Sequence, residues 1–170
     1  MRKTIGIILI IGGLLFAILR GVFHVNVYFE YQNKIESYWD LSDKSSTIVQ
    51  KSEYLDKFVA AIEKEKLYGT YDALFYPNSS NSFDENFKAL KSLQKRFKDI
   101  SSMNENSFAY QTAMQQITAQ EQGEAQNMLG VLSGCWNKVN HYTDWNGWII
   151  FGFFLVQFIM VVLGFVLTED

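Results

Sequence analysis

The sequence predicts an all-α protein in which two transmembrane helices flank an antiparallel helical bundle, with a long helix continuous with the first span. Three observations carry that prediction. Apolar side chains dominate residues 4–29 and 148–167, and runs of about 20 such residues suffice to cross a bilayer. Between them Leu41, Ile48, Leu55 and Ile62 recur every seven residues, and Tyr38, Ser45, Ser52 and Val59 fill the intermediate positions of the same stripe, the coiled-coil-like seam of a helix packed along one face. Pro77 is the single proline among 170 residues, as suits a chain made mostly of helix. The expected organisation is an N-terminal transmembrane helix over residues 1–29, a water-exposed bundle over 30–142, and a C-terminal transmembrane helix with a short tail over 143–170.

Composition narrows the function. The 15 Lys and Arg stand against 18 Asp and Glu, for a formal charge of -3, and the signs are interspersed along the body, which argues against nucleic-acid binding. Cys135 is the single cysteine and can form no internal disulfide. Outside the two apolar stretches roughly 120 residues remain, enough for one modest core and no second domain.

Taken in order, Arg2 and Lys3 give the chain a basic start. Residues 5–19 are apolar apart from Gly6, Gly12 and Gly13, a run slightly short for a span. Apolar character resumes after Arg20, whose guanidinium can snorkel to the headgroups. A cleaved signal peptide is the competing reading, opposed by Leu15-Phe16-Ala17, a poor small-x-small cleavage site. Gly13, Ala17 and Gly21, spaced by four, form a smooth strip for interhelical packing. Tyr28, Phe29, Tyr31, Tyr38 and Trp39 mark the exit from the bilayer and the start of the body core. No Pro or Gly interrupts residues 22–68, so one unbroken helix is expected to rise ~60 Å beyond the membrane and to end at Gly69 in a left-handed cap.

Residues 70–76 are expected to make two helical turns with Tyr71, Leu74 and Phe75 facing inward, before a loop from Pro77 that contains the sequon Asn78-Ser79-Ser80. Ser82 with Glu85 reads as a capping box, and Phe83, Phe87, Leu90, Leu93, Phe97 and Ile100 as the inner face of the helix that follows. A second box, Ser102 with Glu105, is expected to start a helix whose seam is Tyr110, Met114, Ile117, Met128, Val131, Cys135 and Val139. Gly123, Gly130 and Gly134 weaken that helix and suggest close contacts or a bend. Thr143-Asp144 is placed to cap the last helix, and Trp145 and Trp148 to mark the interface. Residues 148–167 contain no charge, and their one strongly polar side chain, Gln157, falls near the bilayer midplane, where it is expected to bond to a neighbouring helix.

Two spans place both termini on one side of the membrane and the body on the other. The first body helix rises and the last descends, so the segment between must descend and climb again. The sequence suggests residues 70–82 for the descent and 83–100 for the climb. Arg2 and Lys3 favour cytoplasmic termini and a body outside the cytoplasm, although Arg20, Lys34 and Lys138 pull the other way.

At the body helix the chain resembles the LemA family of membrane-anchored helical-bundle proteins. Tyr38-Trp39, with Asp43 four residues after the Trp, resembles the family's Ala-Trp-x-x-Ile-Asp segment. Tyr54-Leu55-Asp56-Lys57-Phe58-Val59 is similar to its Leu-Ile-Pro-Asn-Leu-Val segment. Asn104-Glu105-Asn106 with Phe108 and Gln111 resembles its Asn-Glu-Asn-Phe-x-x-Leu-Gln segment, and Glu121, Ala125 and Trp136-Asn137 fall near further family positions. The likeness covers residues 28–140. The family's Arg-Arg pair and Pro are missing here, and a second span replaces its usual C-terminal tail. The resemblance implies a bundle without a catalytic site.

Candidate chemistry is sparse. His24 and His141, the only histidines, are expected near one membrane face with Arg20, Glu30 and Asp144, where ordinary interfacial polarity accounts for them and metal binding or pH sensing, with no His-x-x-x-His or Glu-x-x-His spacing behind it, is the lesser reading. Cys135 sits on an apolar seam without a neighbouring base and reads as an inert, packed thiol. Neither a phosphate loop nor a nucleophile elbow is present. The expectation is a non-enzymatic adaptor or accessory subunit of a membrane complex, with no cofactor, whose partners are the lipid bilayer and another protein or a second copy. Alternatives are a sensor coupling a ligand-binding bundle to its spans, or a phage or host lysis-regulating protein.

Overall fold

The structure, a computed structural model, describes residues 1–121 and 124–169, with side chains outside 118–124. Gly123 and Asp170, and the side chains of Glu121 and Glu124, lie outside the described residues. The all-α expectation holds. The helices are α1 (Arg2–Tyr31), α2 (Ser37–Lys44), α3 (Ile48–Lys64), α4 (Phe83–Ser101), α5 (Phe108–Glu121), α6 (Glu124–Asn140), α7 (Tyr142–Trp145) and α8 (Gly147–Glu169). A π-helical turn at Gln32–Glu36 joins α1 to α2, and a 3-10 turn lies at Ser79–Asn81. The chain divides into two compact units, residues 1–30 with 141–170, and residues 31–140.

In the first unit α1 and α8 are both long and apolar enough to cross a membrane. At 1.5 Å per residue even the shorter α8 reaches beyond the ~30 Å of a hydrocarbon core. Many of their large side chains point away from each other, Ile8, Ile18 and Leu19 on α1 and Phe154, Phe158 and Trp148 on α8 being exposed, while Phe16 and Phe153 meet with ring centres 5.9 Å apart.

In the second unit four helical segments, residues 31–44, α3, α4 and α5 with α6, pack as an antiparallel bundle. Cross-links at successive levels give the directions. Ser42 Oγ donates to Lys51 O at 2.9 Å where α2 turns into α3. Along the α3–α4 pair, Lys91 Nζ meets Glu63 at 2.7 Å and Lys98 Nζ meets Asp56 at 3.0 Å. On the last segment, Trp136 Nε1 donates to Glu65 Oε2 at 2.8 Å. The core runs through Tyr31, Ile35, Leu55, Phe58, Ile62, Phe83, Leu90, Phe97, Leu132 and Trp136. Most of the seven-residue stripe is inside it: Ile48, Leu55, Val59 and Ile62 are buried while Leu41 is exposed.

The helix continuous with the first apolar stretch runs to Lys44 and there it stops, short of the expected end near residue 68. Ser45 is extended (φ -69, ψ 138), and Thr47 accepts from Gln50 N at 3.3 Å as the N-cap of a new helix. Ser45, Ser46 and Thr47 can bond the backbone with their own hydroxyls, which lowers the cost of leaving the helix. The reversal lets α3 cover Ile35 and Tyr38, whereas a straight rod would leave its own stripe in water. Consequently α3 makes the descent expected of residues 70–82. Lys66, with φ 53, takes the left-handed position after α3. Gly69 is also left-handed (φ 76), but it closes a later turn in which its N–H donates to the Asp84 carboxylate at 3.2 Å.

Other local expectations need correction. Residues 70–76 form no helix: Tyr71 pairs with Ser82 in an isolated antiparallel bridge, and Phe75 points outward. Ser82 occupies the N-cap of α4 without bonding an amide through its hydroxyl. The cap of α5 is Ser107, whose Oγ accepts from Tyr110 N at 3.1 Å, while Ser102 ends α4. The cap of α8 is Asn146, whose Oδ1 accepts from Trp148 N at 3.0 Å, because Thr143 and Asp144 fall inside the short α7. Val139 is exposed; Leu132 and Trp136 take the places in the core beside Cys135.

Candidate functional site

Two features of the first unit merit attention, a close helix crossing and a polar cluster. The crossing is made by glycines. A Cβ added to Gly6 would lie 2.6 Å from the carbonyl oxygen of Gly164, and one added to Gly164 would lie 2.6 Å from Ile10 Cγ1. About two turns further along α1, a Cβ at Gly13 would meet Val161 Cγ2 at 2.9 Å and the carbonyl of Gln157 at 3.7 Å. Missing side chains therefore let the two backbones approach. Of the predicted strip, Gly13 is buried at the crossing and Ala17 is half-buried. Gly21 is not part of it: it is exposed, with nothing within 4 Å of its Cβ position. Four residues per step drifts slowly around a helix, and by Gly21 the strip has left the partner. Gln157 is half-buried and contributes its backbone carbonyl; no side-chain hydrogen bond joins it to α1 among the described residues, contrary to expectation. Gly6 and Gly164, which spacing within one helix could not match to each other, make the closest approach.

The polar cluster gathers the five residues expected near one face. The Arg20 guanidinium is ion-paired with the Asp144 carboxylate, and its Nη2 donates to Thr143 O at 3.4 Å. Its Cζ lies 5.2 Å from the Phe153 ring centre, a cation–π arrangement. Arg20 is thus held by protein instead of reaching for headgroups, because a carboxylate is in range. Asp144 is 3% exposed and also faces His24 Nδ1 at 3.4 Å. His141 Nε2 lies 3.1 Å from Glu30 Oε2, with the Phe23 ring edge-on at 6.4 Å between centres. The two histidines therefore belong to separate carboxylate pairs. Among the described residues no three His, Cys, Asp or Glu side chains converge as metal ligands would.

In the second unit Cys135 is fully buried. Burial, and after it the nearby Asp72 carboxylate, pushes its thiol up to about 12, the opposite of an activated nucleophile. The carboxylate of Asp72 also occupies the space a side chain at Gly134 would need, which is why α6 carries glycine there. Surface hollows are shallow. One between α4 and α6 is lined by Asn86, Leu93, Arg96 and Met128, and another beside α2 gathers Glu36, Asp40 and Asp43. Neither brings together a nucleophile and a base.

No protein-family model, no curated protein and no solved structure matches this chain.

Proposed function

We propose that this chain is a non-enzymatic integral membrane protein, in the manner of the LemA family, whose bundle binds another protein or a second copy as an adaptor or accessory subunit of a membrane complex. One observation carries the membrane part. The α1–α8 pair turns Gly6, Gly13 and Gly164 inward and most of its Ile, Leu and Phe side chains outward, where roughly half of each remains exposed. Water disfavours such a surface by about 25 cal/mol per Å², and lipid tails do not. Support for partner binding comes from the end of the bundle where α2, α3, α4 and α5 have their turns. There Leu41, Val49, Met103 and Phe108 are all exposed, Phe108 by 84%, and apolar side chains gathered at one end of a bundle mark an interaction surface where they form a contiguous patch.

Alkaline carbonate extraction tests the first part: the chain stays with the membrane pellet, and its release in intact form refutes the reading. A photo-crosslinking phenylalanine analogue at position 108 tests the second. A discrete crosslinked species forms there and not from the same probe at Asn78; identical products from both positions refute it. Cysteine placed at Asn78 and labelled from outside intact cells reports whether the body lies outside the cytoplasm, with both termini cytoplasmic.

The pairs His24–Asp144 and His141–Glu30 favour a second reading, a sensor whose two spans respond to proton concentration. Spin-label distances between α1 and α8 that stay constant from pH 5 to pH 8, the range over which unperturbed His titrates, exclude it.

A further inference from the structure

The connection between α3 and α4 is a tightly tied loop that holds apolar side chains away from the core. Its ties are polar and numerous. Asp72 N donates to Asn81 O at 2.8 Å and Phe83 N to Thr70 O at 2.9 Å, closing the neck. Asn78 caps the turn at Ser79–Asn81 in a reciprocal capping box. The amides of Asn78 and Asn81 both donate to Tyr76 O, each at 3.3 Å, which secures Tyr76 in a left-handed backbone conformation (φ 60) that a residue with a Cβ seldom adopts. From α6, Lys138 Nζ donates to Tyr71 O at 2.8 Å and Ala73 O at 2.9 Å. This fixed frame leaves Leu74, Phe75 and Tyr76 exposed by 38%, 65% and 87%, while Tyr68 before them packs its ring edge-on against Phe83 and Phe87 of the core. A loop with so many internal ties that presents consecutive Leu, Phe and Tyr outward has the form of an insertion tip.

Its place in the bundle says what it meets. The chain enters the bundle at Tyr31 and leaves it at Asn140, and the loop lies at that end: Tyr31 packs on Trp136 with ring centres 5.3 Å apart, and Trp136 reaches Glu65 just before the loop begins. Lys138, which grips the loop, is separated from the start of α8 by a connection that can extend at most roughly 30 Å. We infer that this loop rests in the interfacial layer of the bilayer that α1 and α8 cross, with Leu74, Phe75 and Tyr76 among the headgroups. The inference rests on the membrane-spanning reading above. An aromatic ring with a polar tip is suited to that layer, and a third point of attachment holds the bundle against the lipid surface.

The test uses the full-length chain reconstituted in phosphatidylcholine vesicles, with an environment-sensitive dye on Tyr76→Cys, on Phe75→Cys, and on Ser46→Cys at the opposite end of the bundle. Dye at 75 and 76 emits to the blue of dye at 46. It is also quenched at least twofold more by lipids carrying a nitroxide near the headgroup, and resists aqueous iodide. If dye at both loop positions behaves like dye at 46 while the protein still resists carbonate extraction, the loop faces water or awaits a protein partner; this inference is then wrong and the two-span reading stands. Release by carbonate overturns both. Because Phe75 lacks the left-handed backbone of Tyr76, it reports independently should the Tyr76 variant disturb the turn.

Discussion

The crossing at Gly6 and Gly164 makes a prediction that separates the observed packing from the pattern in the sequence. In Gly164→Val the new Cβ alone stands 2.6 Å from Ile10 Cγ1 and 2.8 Å from the Gly6 carbonyl oxygen, against the 3.5–4.0 Å of a relaxed carbon contact. The helices must part by about 1 Å for the Cβ and further for the two methyls, and a gap of that size forfeits a quarter to a half of each displaced contact. Overpacking of this kind costs about 1–3 kcal/mol, which weakens the helix pair roughly 5- to 150-fold. Gly21→Val is the control: it belongs to the regular strip Gly13, Ala17, Gly21, yet nothing lies within 4 Å of its Cβ position, so it leaves the pair unchanged. Double electron–electron resonance between outward labels on α1 and α8 in nanodiscs reads the separation directly. A broadened or lengthened distance for Gly21→Val, with Gly164→Val like the parent, refutes the crossing.

Three further outcomes concern the bundle. Trp136→Ala removes a ring that is 1% exposed and costs about 3–5 kcal/mol in urea unfolding followed by circular dichroism. Cys135, with its thiol pushed up to about 12, reacts with iodoacetamide at pH 8 at least ~100-fold more slowly than an ordinary thiol of pKa near 8.5, and reaches the ordinary rate once urea unfolds the body. Burial first, and Asp40 second, raise the carboxyl of Glu36, so the folded chain binds that proton more tightly than the unfolded one. The stabilisation this provides is present below the ordinary carboxylate value of about 4.3 and is lost as pH rises through the raised value; Glu36→Gln accordingly melts higher than the parent at pH 7 and equally at pH 3.5.

Fold class was legible because apolar runs and seven-residue periodicity report directly on burial. The reversal between α2 and α3 was not, and the reason is physical. Ile48, Leu55 and Ile62 keep the same register in one long helix or in a second helix folded back onto the same core, so the stripe cannot tell a rod from a hairpin. What marks the turn is the hydroxyl run Ser45-Ser46-Thr47, with Thr47 three residues before Gln50. Tyr71, Leu74 and Phe75 misled in the opposite way: their three-four spacing is helical, but the asparagines after Pro77 bind the backbone and turn the same residues out. At the polar cluster, hairpin topology alone brought His24, His141, Arg20, Glu30 and Asp144 together. Which histidine meets which carboxylate depends on the rotation of each helix, and a sequence apolar on every side carries no record of that rotation.

That last point bears on why a pair of apolar helices carries a charged contact at all. Asp144 is 3% exposed and Arg20 21%, and a buried ion pair contributes little net stability compared with apolar side chains of similar size. Its value lies in being directional. Helices whose outer surface is uniformly apolar can slide and roll against each other at small cost in lipid, since one hydrocarbon contact replaces another. The glycine crossing fixes the approach at one point, and the Arg20–Asp144 pair fixes a second, roughly 20 Å further along α1. Two separated points determine both rotation and register. The histidines stand beside the second point and not the first, His24 facing the same Asp144 carboxylate that holds Arg20.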